Sequence, residues 1–180
     1  VSIWNLFGLT GPHPEDGPGG SRAETLRRIV EALERLPEAR ARFIAAFAYT
    51  LGRVANADLD ISREETREME RIVREVGGVT EEEAVLVTQI AKAQNRLFGS
   101  TDNFLVAREL AAVAGPEQKH RLLQCLFAVS AADRNISTVE DNEVRRIASE
   151  LELTHEDFIR ARSQYLQYLA VLRKPDPPPG

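Results

Sequence analysis

One cysteine, one methionine, one tryptophan and three histidines occur in 180 residues, and these scarcities remove whole classes of protein. A lone Cys125 cannot close an internal disulfide or build a thiolate metal cluster, so nothing demands an oxidising compartment and a reducing cytoplasm is expected. His13, His120 and His155 stand at no ligand spacing, and surface or capping roles suit them better than catalysis. Basic side chains fall short of acidic ones, 23 against 28, for a net charge of −5. The bulk attraction that phosphate backbones or anionic lipid need is therefore missing, and no nucleic-acid partner is expected. The chain also lacks a long apolar run. Its most apolar stretch, Phe43 to Leu51 with Arg53 close behind, is far short of the roughly 20 residues of a membrane span. The opening Val-Ser-Ile-Trp-Asn-Leu-Phe does not read as a secretory signal. The glycines at 17, 19 and 20 are followed by no Gly-Lys-Ser/Thr and read as linker, not as a phosphate loop.

What remains is ordinary globular material, 43% hydrophobic and 28% charged, of a length suited to one domain. Apolar residues recur at steps of three and four, and no stretch alternates with period two, so the expected fold is all-α, a bundle of about eight helices. Pro and Gly mark residues 1–21 as a flexible N-terminal leader and 173–180 as a Pro-rich tail, leaving a helical body over 22–172. Expected helices run over about 22–36, 37–57, 62–76, 80–98, 102–114, 115–132, 137–151 and 154–171, with Thr80-Glu81-Glu82-Glu83 forming a capping box.

The body contains a repeat. Ala57-Asp58-Leu59-Asp60-Ile61-Ser62-Arg63-Glu64-Glu65 aligns with Ala132-Asp133-Arg134-Asn135-Ile136-Ser137-Thr138-Val139-Glu140, within units of about 38–98 and 116–171. A duplicated helical hairpin with quasi-twofold symmetry is the economical reading.

Phe43, Phe47, Leu51 and Val54 form a helical stripe whose next step lands on Asp58; Leu122, Leu126 and Val129 lead to Asp133 in the same way. Glu65 starts a stripe with Met69, Ile72 and Val76, as Glu140 does with Val144, Ile147 and Leu151. Each copy is thus expected to point one Asp and one Glu inward. A sheltered carboxylate without a partner costs several kcal/mol or takes up a proton, so compensation is needed.

Three sources are open. One is capping, since Ser62-x-x-Glu65 and Ser137-x-x-Glu140 both fit the capping box. Another is arginine. Arg71 and Arg146 are spaced for solvated ladders with Glu68 and Glu75 or Glu143 and Glu150, which leaves Arg53 as a partner in one copy, its counterpart being Ala128. The third is a divalent cation. All-oxygen donors favour Mg²⁺, Ca²⁺ or Mn²⁺, although counting from Asp58 places Arg63 and Met69 where an EF-hand needs glycine and glutamate. No Glu-x-x-His pair of a di-iron bundle occurs. The cluster of Trp4, Leu6 and Phe7 is suited to docking on the body or on a partner.

The duplicated Ala-Asp-x-(Asp/Asn)-Ile-Ser-x-x-Glu over about residues 23–172 resembles the TerB-like family, which includes tellurite-resistance TerB and the N-terminal domain of the DjlA co-chaperone. That resemblance implies a metal site at Asp58, Glu65, Asp133 and Glu140, and a non-enzymatic module in a tellurite or metal stress response. The alternative it implies is a metal-free adaptor for a protein partner. Leu59 and Arg134 replace the glycine that the family's Asp-Gly-x-Ile-Ser-x-x-Glu carries, and no J-domain His-Pro-Asp motif is present.

Overall fold

A computed structural model describes residues 20–55, 62–97 and 103–172. The leader before Gly20 and the tail after Leu172 lie outside the described residues, as do Asp58 and Asp60. Among the described residues eight α-helices follow in order: α1 Gly20–Glu34, α2 Glu38–Val54, α3 Arg63–Glu75, α4 Glu81–Leu97, α5 Asn103–Val113, α6 Pro116–Ser130, α7 Thr138–Glu150 and α8 His155–Ser163. Two 3₁₀ turns, Leu166–Tyr168 and Ala170–Leu172, close the described chain. The all-α expectation holds.

α2 is the axis of the first half. Every residue from Phe43 to Gly52 is buried, the mark of a helix enclosed on all sides, and α4 and α5 supply most of that enclosure. α3 buries a single stripe, Met69, Ile72 and Val73. The chain leaves α3 through Gly77, where an added Cβ would stand 2.4 Å from the Val73 carbonyl oxygen and 2.9 Å from the Phe47 ring. Only glycine lets this turn sit so close to Phe47. In the second half Phe127 of α6 packs against Phe158 of α8 and stacks on Tyr165, while Val144, Ile147 and Ala148 line the buried side of α7.

The two halves run in parallel up to one slip. Capping boxes at Ser62 and Ser137 stand at the repeat spacing of 75, but the boxes at Thr80 and Thr154 are one residue closer. The α3–α4 turn is accordingly one residue longer, with positive φ at Gly78, whereas the tighter α7–α8 turn places it at Glu152. There the Glu152 N–H donates to the Ser149 carbonyl and the Leu153 N–H to the Ala148 carbonyl, both at 3.0 Å. This is a Schellman stop built without glycine.

The eighth helix ends at Ser163, short of the expected 171. Ile136, in the α6–α7 junction, draws the backbone away. Its N–H donates to the Tyr168 carbonyl at 2.7 Å, and its carbonyl accepts from the Ala170 N–H at 2.9 Å. A continuing α-helix would bond those groups internally. Pairing with Ile136 instead sinks Leu169 completely into the core.

Candidate functional site

At the first junction Ser62 caps α3. Its Oγ accepts from the Glu65 N–H at 3.1 Å, and Glu65 Oε2 accepts from the Ser62 N–H at 2.7 Å. The Ser62 backbone N–H, more than the hydroxyl or Lys92, holds the Glu65 carboxyl below the usual carboxylate range. Glu65 is nevertheless exposed. At the second junction Ser137 Oγ accepts from the Glu140 N–H at 3.2 Å and Glu140 Oε2 accepts from the Ser137 N–H at 2.8 Å. Glu140 is half-buried, and exposed Asp133 accepts from the Asn135 N–H at 2.8 Å.

The inward orientation expected of these carboxylates is therefore not met by Glu65 or Asp133. Stepping four residues along a stripe holds only while the chain is helical. α2 stops at Val54 and α6 at Ser130, so the stripe no longer governs Asp133, which turns back on its own loop as an Asx turn. Glu65 and Glu140 occupy the third helical position, from which a glutamate reaches back to the N-cap amide. Among the described residues no three of His, Cys, Asp and Glu gather closely enough to hold a metal ion. The junction backbone, in contrast, keeps a glycine-like shape, because Arg134 adopts φ 63°.

Among the described residues the acids that do go inside are different ones, and arginines meet them. Asp141, next to Glu140, is buried and receives Arg162 of α8 through Nε and Nη2 at 2.8 and 2.7 Å. Glu83 of α4 accepts from Arg40 Nε at 2.6 Å and Nη2 at 2.5 Å, and also from the Thr80 N–H at 2.9 Å. The Arg40 guanidinium keeps its carboxyl low.

Arg53, only 4% exposed, crosses from α2 to α7. It reaches Glu143 Oε1 through Nε at 2.8 Å and Glu150 Oε2 through Nη1 at 2.5 Å. The ladder expected around Arg71 is present and solvated, with Glu68 and Glu75 both at 2.6 Å. In the second half Arg53 has taken the corresponding acids. Arg146 keeps only a 3.5 Å approach to Glu143. Sequence reasoning flagged Arg53 as a cation but not its targets; nothing in the local pattern marks Asp141 or Arg162.

His120 bridges α6 and α8. Its Nδ1 lies 2.7 Å from the Pro116 carbonyl oxygen and its Nε2 2.9 Å from Asp157 Oδ1. Two acceptors favour the imidazolium, and the Asp157 carboxylate first, then the Pro116 carbonyl, raises its pKa above the usual histidine value. Cys125 is wholly buried, and desolvation pushes its thiol up to about 12, which makes it an inert core residue.

One surface feature stands apart. The exposed large hydrophobics among the described residues are Val139 (79%), Ile159, Leu166, Val171 and Leu172 (56%), all on the C-terminal half. Leu166 opens the first 3₁₀ turn and Leu172 ends the second, on either side of buried, extended Leu169, and the Ile136–Leu169 bridge brings this segment to the start of α7. Among the described residues no helix is long and apolar enough to cross a membrane.

The family model for tellurite resistance protein TerB matches residues 43–163. No curated protein and no solved structure matches the chain. The family match spans α3 to α8 and both capped junctions, with most of α2; this chain belongs to the TerB family.

Proposed function

We propose that this TerB-family chain is a non-enzymatic helical module that works by docking a protein partner on an apolar strip formed by Val139, Leu166, Val171 and Leu172. The observation that carries the reading is that, among the described residues, the exposed large hydrophobics all fall within residues 139–172. Apolar side chains in water forgo the stabilisation of burial, and their concentration on one side of a fold is characteristic of contact surfaces. Glu65 and Glu140 already serve as helix caps, and the buried acids Glu83 and Asp141 already face arginines, so these four carboxylates have partners without a cation. A photo-crosslinking residue at Val139, used in the producing cell, is expected to trap a discrete adduct that Leu172→Asp abolishes. An equal yield from a probe at exposed Glu156 refutes the reading.

One observation favours a second reading, a divalent cation (Mg²⁺, Ca²⁺ or Mn²⁺) held by Asp58, Glu65, Asp133 and Glu140. Arg134 keeps a left-handed backbone at the family's glycine position, and strain of that kind persists where a loop serves a function. Asp133 and Glu140 each commit one oxygen to a backbone amide, which leaves one of each for a cation. Calorimetric titration with the three ions, repeated on Asp58→Ala with Asp133→Ala, decides. Heat and a thermal shift that disappear in the variant favour the cation; neither in the parent chain leaves docking alone. Family membership supports a role in tellurite or metal stress, and the lone Cys125 supports a reducing cytoplasm; the tellurite sensitivity of a deletion strain tests the role.

A further inference from the structure

We infer that, in the free chain, the apolar strip of α7 and the 3₁₀ turns is covered in cis by the chain's own N-terminal segment, Ile3-Trp4-Asn5-Leu6-Phe7-Gly8-Leu9. The inference rests on the strip being a docking surface, and it names the first occupant. Five of those seven residues are apolar, and they precede both the first described helix and the family match, which begins at residue 43. An apolar segment outside the matched domain gains by covering apolar surface that the helical body leaves in water. A Pro- and Gly-rich connection, Thr10 to Gly19, separates them from Gly20. Ten residues extend to about 35 Å, against a radius of gyration of about 15 Å for a body of this size, so the segment reaches across most of the body's width.

Tethering also sets the competition. A short linker presents its segment at an effective concentration of about 1 mM, so a contact of millimolar intrinsic affinity is already half occupied. A second copy at micromolar concentration does not match that. Trp4 and Phe7, three residues apart, supply the large rigid apolar surface that such a contact needs. A partner protein then has to displace the segment, which makes the leader a competitor for the strip.

Trp4 is the chain's single tryptophan, so its emission reports the contact directly. In the full chain, Trp4 fluorescence is expected to be blue-shifted from that of N-acetyltryptophanamide and quenched by acrylamide up to about twofold less, unchanged on 100-fold dilution. Val139→Asp with Leu172→Asp, both at exposed positions, is expected to restore free-tryptophan emission with the helical circular dichroism intact. Emission like free tryptophan in the parent overturns the inference. So does protection that survives both substitutions, which places the segment elsewhere, or protection lost on dilution, which assigns the strip to a second copy. These outcomes leave the crosslinking test of partner docking independent. Exposed Trp4 with a Leu172-dependent adduct sinks only the cover; protected Trp4 without an adduct sinks only the partner.

Discussion

Replacing Arg53 by methionine keeps the aliphatic stem and removes the guanidinium that joins the two halves. Glu143 and Glu150 then remain with side chains 19% and 13% exposed, and exposed Arg146 at 3.5 Å from Glu143 is the nearby cation in the ladder. Breaking a fully buried pair by deleting one partner costs about 3–5 kcal/mol. Both glutamates retain some water, so the expected loss is about 2–4 kcal/mol. For a chain of this length that lowers Tm by roughly 5–15 °C. Urea unfolding followed by circular dichroism measures it, with an unchanged m-value as the sign of an intact denatured state. The charge argument makes a sharper demand. Adding Glu143→Gln and Glu150→Gln to Arg53→Met is expected to recover most of the loss, since the orphaned charge is the penalty. The same two substitutions with Arg53 retained are expected to destabilise, because a cation only 4% exposed is then left alone. A loss below about 1 kcal/mol for Arg53→Met, or glutamine substitutions that deepen it, refutes the reasoning.

Three further outcomes are expected. His120 has a raised pKa in the folded chain, so its stabilising contribution is complete below the unfolded histidine value of about 6.5 and fades as pH rises through the folded value. The stability difference between the parent and His120→Ala is therefore largest in mild acid and smallest in alkali; a flat difference from pH 5 to 9 contradicts the two-acceptor geometry. Glu152→Gly removes a side chain from a left-handed C′ position at φ 61° and is expected to raise stability by about 1 kcal/mol, read from the urea midpoint. Gly77→Ala forces a Cβ against Phe47 and the Val73 carbonyl and is expected to lower stability by about 1–3 kcal/mol, with a thermal melt showing no change as the contrary result.

Much of the helical framework was legible because its signals are local. A serine and a glutamate three residues apart satisfy each other's backbone amides wherever the rest of the chain lies, and the boxes at Ser62, Thr80 and Ser137 mark real helix starts. The apolar period identified α2 and α6 for the same reason. The candidate site was less legible. Asp133 was placed by extending a helical stripe beyond the point where α6 stops, and the acid that actually enters the interior, Asp141, differs from Glu140 by a single position.

By itself, then, the sequence determined an all-α chain, most helix starts, the repeat and the membership that follows from it, since propensity, capping and periodicity act over three to seven residues. Tertiary structure alone decided which cation meets which anion across elements, the local Arg71 ladder apart. Arg53 lies 90 and 97 residues from Glu143 and Glu150, and Arg162 lies 21 from Asp141. It also decided where α8 breaks, because Ile136 offers backbone partners that compete with another helical turn. Contacts of that range depend on how helices cross and on which polar groups the crossing leaves unpaired, and neither is encoded within any single stretch of the chain.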